Sequence, residues 1–540
     1  MAIDPDVNEM WRHLERICSW DRLSGGPGEA RAVDYVVEVL RGYGIPVQVH
    51  SFDAYLSNPL SGELEVAGRK YRAKTRAFSA STDGVTGELV HVPGGSDMFK
   101  DTETAGRIAA TDLRGKVVLT ESGSRSNMIA AYRGGAVGFV HMWPSDEPYV
   151  HEGTVSPVWG TPTPETIDLI PRIPVVQITQ ADGERLRAEG GTATLRTRTQ
   201  TGWFPVRLPV ADIRGASDEF VLVAGHIDSW HLGVTDNGTG NVACLEIARL
   251  MKHLQPQLRR GVRVAWWPCH SNGRYAGSTW YADHAWQDIH DHCVGYINID
   301  SPGAAGATVY DLITATAENA AFLKGIVREI AGQDPAWERP LRAGDQSFWG
   351  PGVSSAHMLL SSRPVGQRAA VGGCGLGWWW HTEEDTMDKA DREVLATDCR
   401  ILAETCYRLA TDEVLPYDLT AAIGELAAEV RRLQDAAKGH ADFSDLLGAL
   451  AALRNRALPT APAARNRAVL RALRALTPIN YTAAGPFDHD AAVPAKPVPA
   501  LQGAARLPTL DPAGSDYRFL QTRLQREQNR LVAAVRQAGW

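Results

Sequence analysis

The chain is short of most features that would classify it at once. Seven cysteines (Cys18, Cys244, Cys269, Cys293, Cys374, Cys399 and Cys406) are scattered through 540 residues. No pair has CxxC spacing and the number is odd, which argues against a disulfide framework or a zinc ribbon. They read instead as small buried apolar side chains in a reducing compartment. No segment approaches the roughly 18 consecutive apolar residues that a membrane span needs. The first twenty residues carry acids where a secretion signal would carry lysines, so a cytoplasmic protein without a membrane partner is the default expectation. A basic excess is missing too. The net charge is −8, which removes the electrostatic reason to expect nucleic acid as a partner.

What is present is the balance of a folded protein, 44% hydrophobic and 22% charged residues. The length calls for two or three domains. Residues 1 to about 50 read as helix, helix, strand, with apolar faces through Met10, Leu14 and Ile17 and then Ala32, Tyr35, Val36 and Leu40. From 55 to 205, short apolar runs (Leu89–Val92, Val117–Leu119, Gly138–Val140, Val175–Ile178) alternate with Gly, Pro, Ser and Thr, the texture of a β-rich insertion. Beyond 206, strands at Phe220–Ala224, Val262–Trp266 and Val294–Ile299 alternate with helices, among them Asn241–Leu254. That pattern predicts an α/β fold, a mostly parallel sheet flanked by helices. After 411 the strands stop. Amphipathic helices over 420–437 and 516–537, joined through a Pro- and Ala-rich link near 485–515, predict a helical C-terminal domain.

Four segments far apart in sequence each fall at the end of a predicted strand or after one: Gly225–Trp230 with His226 and Asp228, Thr235–Gly240 with Asp236, Asn298–Asp300, and Trp380–Thr382 with His381. Functional groups collect at the carboxyl ends of strands in open α/β sheets. Singly, each has a plain reading: a histidine at a strand end is a hydrogen-bonding residue, and Asp-Asn-Gly is a turn. Together they supply imidazole and carboxylate, the donors of a zinc site that keeps a position open for water or substrate. Asp228 is spaced to orient the His226 imidazole.

At these residues the sequence resembles the co-catalytic zinc aminopeptidase and glutamate carboxypeptidase family, whose HxD, DNGxG, EE, NxD and HTxxDT motifs supply two zinc sites. The resemblance implies that Asp236 bridges the metals, that His226 and Asp300 complete one site, and that His381 serves the other. Gly344–Phe348 looks like the family's late loop. Residues 55–205 are similar to a protease-associated domain. Residues 1–54 with 206–410 would form the zinc-peptidase-like domain, and 411–540 is similar to the dimerisation domain of glutamate carboxypeptidase and the transferrin receptor. A homodimer is the implied assembly.

The chain departs from that pattern where the family has two consecutive glutamates, its general base and a ligand of the second metal. Here the strand is followed by Pro268-Cys269-His270-Ser271-Asn272-Gly273-Arg274-Tyr275. Aligned from the strand, His270 and Ser271 take the paired positions; aligned from the following Gly277-Ser278, Ser271 and Asn272 do. Both carboxylates are gone either way. Two divalent ions facing only Asp236 and Asp300 would repel each other, so one tightly bound ion, zinc by its donors, is expected in place of two.

His270 could ligate that ion, act as acid/base near neutral pH, or merely hydrogen-bond across an inert cleft. Arg274 and Tyr275 could bind a substrate carboxylate or serve in packing. Trp380, in the run Trp378-Trp379-Trp380, could wall a substrate pocket or belong to the core. The functional expectation is a metal-dependent hydrolase of an amide or related C–N bond in a small molecule or short peptide, with non-standard acid/base chemistry. A non-catalytic binding protein on the same scaffold and a metal-assisted lyase are the alternatives.

Overall fold

A computed structural model describes residues 3–97, 99–356 and 360–539 of the chain. The α/β architecture expected from the pattern is present. One half of a large sheet is parallel, in the order Ser355–Ala356, Cys293–Asn298, Phe220–His226, Gly261–Trp267. Phe220–His226 and Cys293–Asn298 are buried along their whole length, which is why both read as unbroken apolar runs without alternation. The helices Val7–Ile17, Pro27–Gly42, Thr239–His253 and Arg392–Thr411 cover the sheet through one core that includes Leu14, Val36, Ile247 and Leu402.

Two long strands, Val47–Val66 and Thr192–Ile213, pair antiparallel over their entire lengths, with one irregularity between Pro59 and Ser61. The carboxyl half of the second joins Gly261–Trp267, and its amino half joins Thr82–His91. From there the sheet continues in parallel through Val117–Thr120, Gly138–Met142 and Val175–Ile178. Boundaries drawn at 54/55 and 205/206 therefore fall inside continuous strands. The inserted lobe is an extension of the main sheet, joined by a strand pair and not by a flexible linker. Beyond 411 the chain is helical, with Leu419–Ala436 and Ser515–Gln537 close to expectation. Ser444–Arg454 and Pro462–Tyr481 are two further helices, and a tight helix at Pro499–Thr509 lies within the expected link.

The strand pair does more than connect. Leu56, fully buried in the small cluster of Ala54, Val206, Cys269 and Ala276, packs so tightly on Gly273 that a Cβ there would lie 2.4 Å from its Cδ2. Ser57 N–H donates to Asn272 O at 3.1 Å. The loop after Gly261–Trp267 is thus clamped from below. Truncating Leu56 to Ala should cost about 2–5 kcal/mol and loosen that loop, read as a lower urea midpoint together with faster amide exchange at residues 270–275. Unchanged exchange would argue that the loop holds its shape without the strand pair.

Candidate metal centre

The parallel strands end at one edge, and the segments singled out in the sequence meet there. His226 is the last residue of its strand, Asp300 lies two residues beyond Asn298, and His270 lies three beyond Trp267. His226 Nε2 is 3.0 Å from Asp236 Oδ1 and 3.7 Å from Asp300 Oδ1, and His381 Nε2 is 3.2 Å from Asp236 Oδ2. The Asp236 carboxylate therefore divides its two oxygens between two imidazoles. Tetrahedral ligand atoms at zinc-like bond lengths stand roughly 3.3 Å apart, so each of the pairs His226–Asp236, His226–Asp300 and His381–Asp236 is spaced as two ligands of one ion are.

The local scaffold explains how Asp236 is held. Asp385 accepts hydrogen bonds from Thr235 N–H (2.9 Å), Thr235 Oγ1 (2.7 Å) and Asp236 N–H (2.9 Å); burial pushes its carboxyl up to about 7. Asn237 ties the Asp236 loop to the Asp300 loop, donating from Nδ2 to Ile299 O at 2.9 Å and accepting from Ser301 N–H at 3.1 Å. Gly240 closes the motif, because a Cβ there would fall 1.9 Å from Asn237 Oδ1. Asp228 acts differently from the expectation. Its backbone carbonyl, not its carboxylate, receives His226 Nδ1–H at 2.8 Å. The carboxylate oxygen nearest that nitrogen is 3.7 Å away, and the carboxylate accepts instead from His270 N–H (3.0 Å) and Ser271 N–H (2.9 Å). It shapes the turn that carries His270.

That turn also sets which side chains reach the cavity. His270 and Ser271 face the cavity, while Asn272 turns away, donating to Ser24 O and Asn58 Oδ1. His270 stacks on His226 with ring centroids 3.8 Å apart and planes 14° from parallel, and donor atoms of His226, His270 and Asp300 lie within 4.8 Å of one another. Ser271, beside His270 on the cavity wall, offers no carboxylate, and Asp236 and His381 are the donors that meet on that side.

With Nδ1–H committed to Asp228 O, His226 Nε2 presents a lone pair towards carboxylate oxygens. It is buried and makes no hydrogen bond. Electron pairs meeting electron pairs in a dry pocket require a cation between them, and the donor set fits a divalent ion of the zinc class. Without an ion, a proton fills the role. Burial lowers the affinity of His226 for a proton, but the carboxylates of Asp228, Asp236 and Asp300 outweigh it and hold the imidazole well above its ordinary range. Burial likewise opposes ionisation of Asp236, and His226 and His381 reverse it, holding that carboxyl well below its ordinary value.

Above the ion-binding edge lies a cavity of about 100 Å³. Its wall includes Arg125, Arg274, Tyr275, Trp380 and Glu152. Arg125 and Arg274 are buried. Arg274 Nε and Nη2 and Arg125 Nε have no hydrogen-bond partner, and no carboxylate among the described residues is ion-paired with either. Burial, and then the charge of Arg274, push the Arg125 guanidinium well below its ordinary range. Of the tryptophan run, Trp380 stacks on His381 at 3.6 Å and lines the cavity. Trp379 is buried and donates to Thr235 Oγ1. Sequence reasoning did not find Arg125, since a buried arginine on a helix reads like a surface one. Nor did it assign Asp345, although it lies in the Gly344–Phe348 loop.

Comparison with known proteins follows the same outline. Residues 210–405 match the model of peptidase family M28. The probable lipoprotein aminopeptidase LpqL of Mycobacterium tuberculosis is 31% identical over 288 residues, 52% of this chain and 54% of that protein; the chain thus spans about half the length of this curated relative. Among solved structures, the zinc aminopeptidase BSAP of Bacillus subtilis superposes with a TM-score of 0.58 at 20% identity, covering 75% of this chain and 96% of that one. The aminopeptidase from Aneurinibacillus sp. strain AM-1 gives 0.57 at 22%, covering 75% and 94%. The last two likenesses establish the fold.

Because a proton occupies His226 when no ion is bound, ion uptake near pH 7 must expel it. Affinity for zinc should therefore fall as pH falls. Calorimetric titration of metal-free protein in buffers of different ionisation enthalpy should report about one proton released per ion. A heat independent of buffer would contradict this reading of His226. Gly240→Ala should displace Asn237 and weaken zinc binding by at least about tenfold, measured by chelator competition.

Proposed function

We propose, from the match of residues 210–405 to peptidase family M28, that the chain is a member of that family and a metal-dependent hydrolase of an amide or related C–N bond in a small molecule or short peptide that carries a carboxylate. The observation that carries the reading is the bare, buried Nε2 of His226 between Asp236 and Asp300. A divalent ion held by His226, Asp236 and Asp300, with His381 at the other oxygen of Asp236, would supply Lewis acidity, polarising a carbonyl and acidifying water. One tightly held ion is the reading favoured here, since Ser271 brings no charge to a second site.

The chain's own residues do the rest. His226 and His381 keep their Nδ1 protons on backbone carbonyls, of Asp228 at 2.8 Å and of Glu152 at 3.2 Å, so both rings are locked with Nε2 turned inward. Arg125 and Arg274 are two buried guanidinium ions without a counter-charge, a costly arrangement in a low dielectric. A substrate carboxylate resolves it with charge-assisted hydrogen bonds. Tyr275 and Trp380 supply the flat walls between which the substrate would lie. A scaffold used for binding alone would have no physical need for the inward-facing imidazoles, which weighs against the binding-protein alternative.

A homodimer through the helical region is part of the proposal, supported by the exposed Phe519, 72% accessible on the helix Ser515–Gln537. The cytoplasmic reading rests on seven cysteines that are all buried and unpaired and on the finding that, among the described residues, no helix is long and apolar enough to cross a membrane.

Purified protein should carry about one equivalent of zinc, and His226→Ala should lose it; wild-type protein that takes up no divalent ion would end the hydrolase reading. Arg125→Met should raise the unfolding midpoint by relieving an unpaired buried charge, yet weaken binding of carboxylate ligands by roughly 10- to 100-fold. Equal affinity for acid and amide forms of the same ligand would remove the carboxylate from the substrate description. Light scattering at micromolar concentration should give twice the chain mass.

A further inference from the structure

His270 stands where the family's first glutamate would stand, and its surroundings say which of its two nitrogens is available. Nδ1 lies 2.6 Å from Asp345 Oδ2. Asp345 is 1% exposed, and its other oxygen accepts from Ser278 Oγ at 2.6 Å. Ser278 also meets Ser347 Oγ at 2.8 Å, and Ser347 in turn accepts from Trp159 Nε1 at 2.8 Å. This carboxylate is therefore held on both sides, and an ionised carboxylate has only acceptor capacity. The proton of a neutral His270 is thereby confined to Nδ1, and Nε2 keeps its lone pair.

The ring planes argue against spending that lone pair on the ion that His226 holds. An imidazole binds a metal along its own plane. The His226 and His270 planes are nearly parallel with centroids 3.8 Å apart, so an ion lying in one plane is displaced from the other by about a ring-stacking distance. His270 Nε2 would then be left to serve a water beside such an ion.

We propose that Asp345 is a positioning residue that fixes His270 with its proton on Nδ1, so that His270 Nε2 replaces the missing glutamate as the group that takes a proton from the attacking water. The inference rests on the hydrolase reading above. In the step it serves, the water oxygen bonds to the carbonyl carbon as His270 Nε2 receives the proton. The same proton passes to the leaving nitrogen as the C–N bond breaks, for a net addition of one water. The arrangement of acceptor, imidazole and orienting carboxylate is the one nucleophile-activating dyads use on other folds, here placed beside a metal edge.

Zinc-loaded protein labelled with ¹⁵N-histidine tests this without any substrate. The His270 signals, identified by their loss in His270→Gln, should show a protonated Nδ1 and a bare Nε2 in the wild type. In Asp345→Ala the proton should move to Nε2 for most of the population, and Asp345→Glu should restore the wild-type pattern in part. His270→Gln and Asp345→Ala should keep the zinc affinity of the wild type to within about twofold, whereas removing a ligand or its orienting partner typically costs 10- to 100-fold. A wild-type spectrum with the proton already on Nε2 overturns the proposal even if Asp345→Ala does not fold, and a large loss of zinc in His270→Gln makes His270 a ligand and overturns its role as acceptor. Absence of zinc from the wild type would count against the hydrolase reading, while the tautomer of His270 in the metal-free protein still decides what Asp345 does.

Discussion

Everything at the sheet edge is arranged around a deficit of positive charge. Asp236 and Asp300 point their oxygens at an imidazole nitrogen whose own proton is committed elsewhere. In water such a cluster would open; here it is held shut by burial and by bonds that cross the fold. Asp385 holds the backbone of Asp236, Asn237 holds the Asp300 loop, and Gly240 leaves room for Asn237. The scaffold thus maintains a geometry that is unfavourable until a cation arrives, and so it selects for one.

The cavity above repeats the logic with opposite sign. Arg125 comes from the inserted lobe and Arg274 from the loop after Gly261–Trp267. Neither is neutralised by a protein carboxylate within ion-pair reach among the described residues. A negative centre below and two guanidinium ions without carboxylate partners beside it give the cavity a polar axis. Such a site can exist only if the inserted lobe is held at a constant distance from the main sheet. The antiparallel pair Val47–Val66 and Thr192–Ile213, continuous through both halves, is what holds it there.

The segment after Gly261–Trp267 carries His270 and Ser271 and no acidic residue, and the turn that holds them is well ordered. Asp228 caps the two backbone N–H groups of 270 and 271, Leu56 fills the space against Gly273, and His270 has a carboxylate partner in Asp345. The turn thus holds an oriented imidazole, His270, stacked on His226 at the sheet edge.

Much of this was legible in the residues alone. Unbroken apolar runs at Phe220–His226 and Cys293–Asn298 announced buried parallel strands, and the motifs at their ends named His226, Asp236, Asp300 and His381, because strand ends and metal donors are local in sequence. Periodicity likewise found the helices near 420–437 and 516–537. The tertiary structure decided the rest. The turn that puts His270 in the cleft is held by Leu56 and Ser57 from a remote strand. That Asp228 meets His226 through its carbonyl, that Asp345 reaches His270, and that Arg125 and Arg274 are left without carboxylate partners among the described residues are facts about distances between remote segments. Hydrogen bonds and desolvation act over a few ångströms in space, so no pattern along the chain encodes which side chains will be that close.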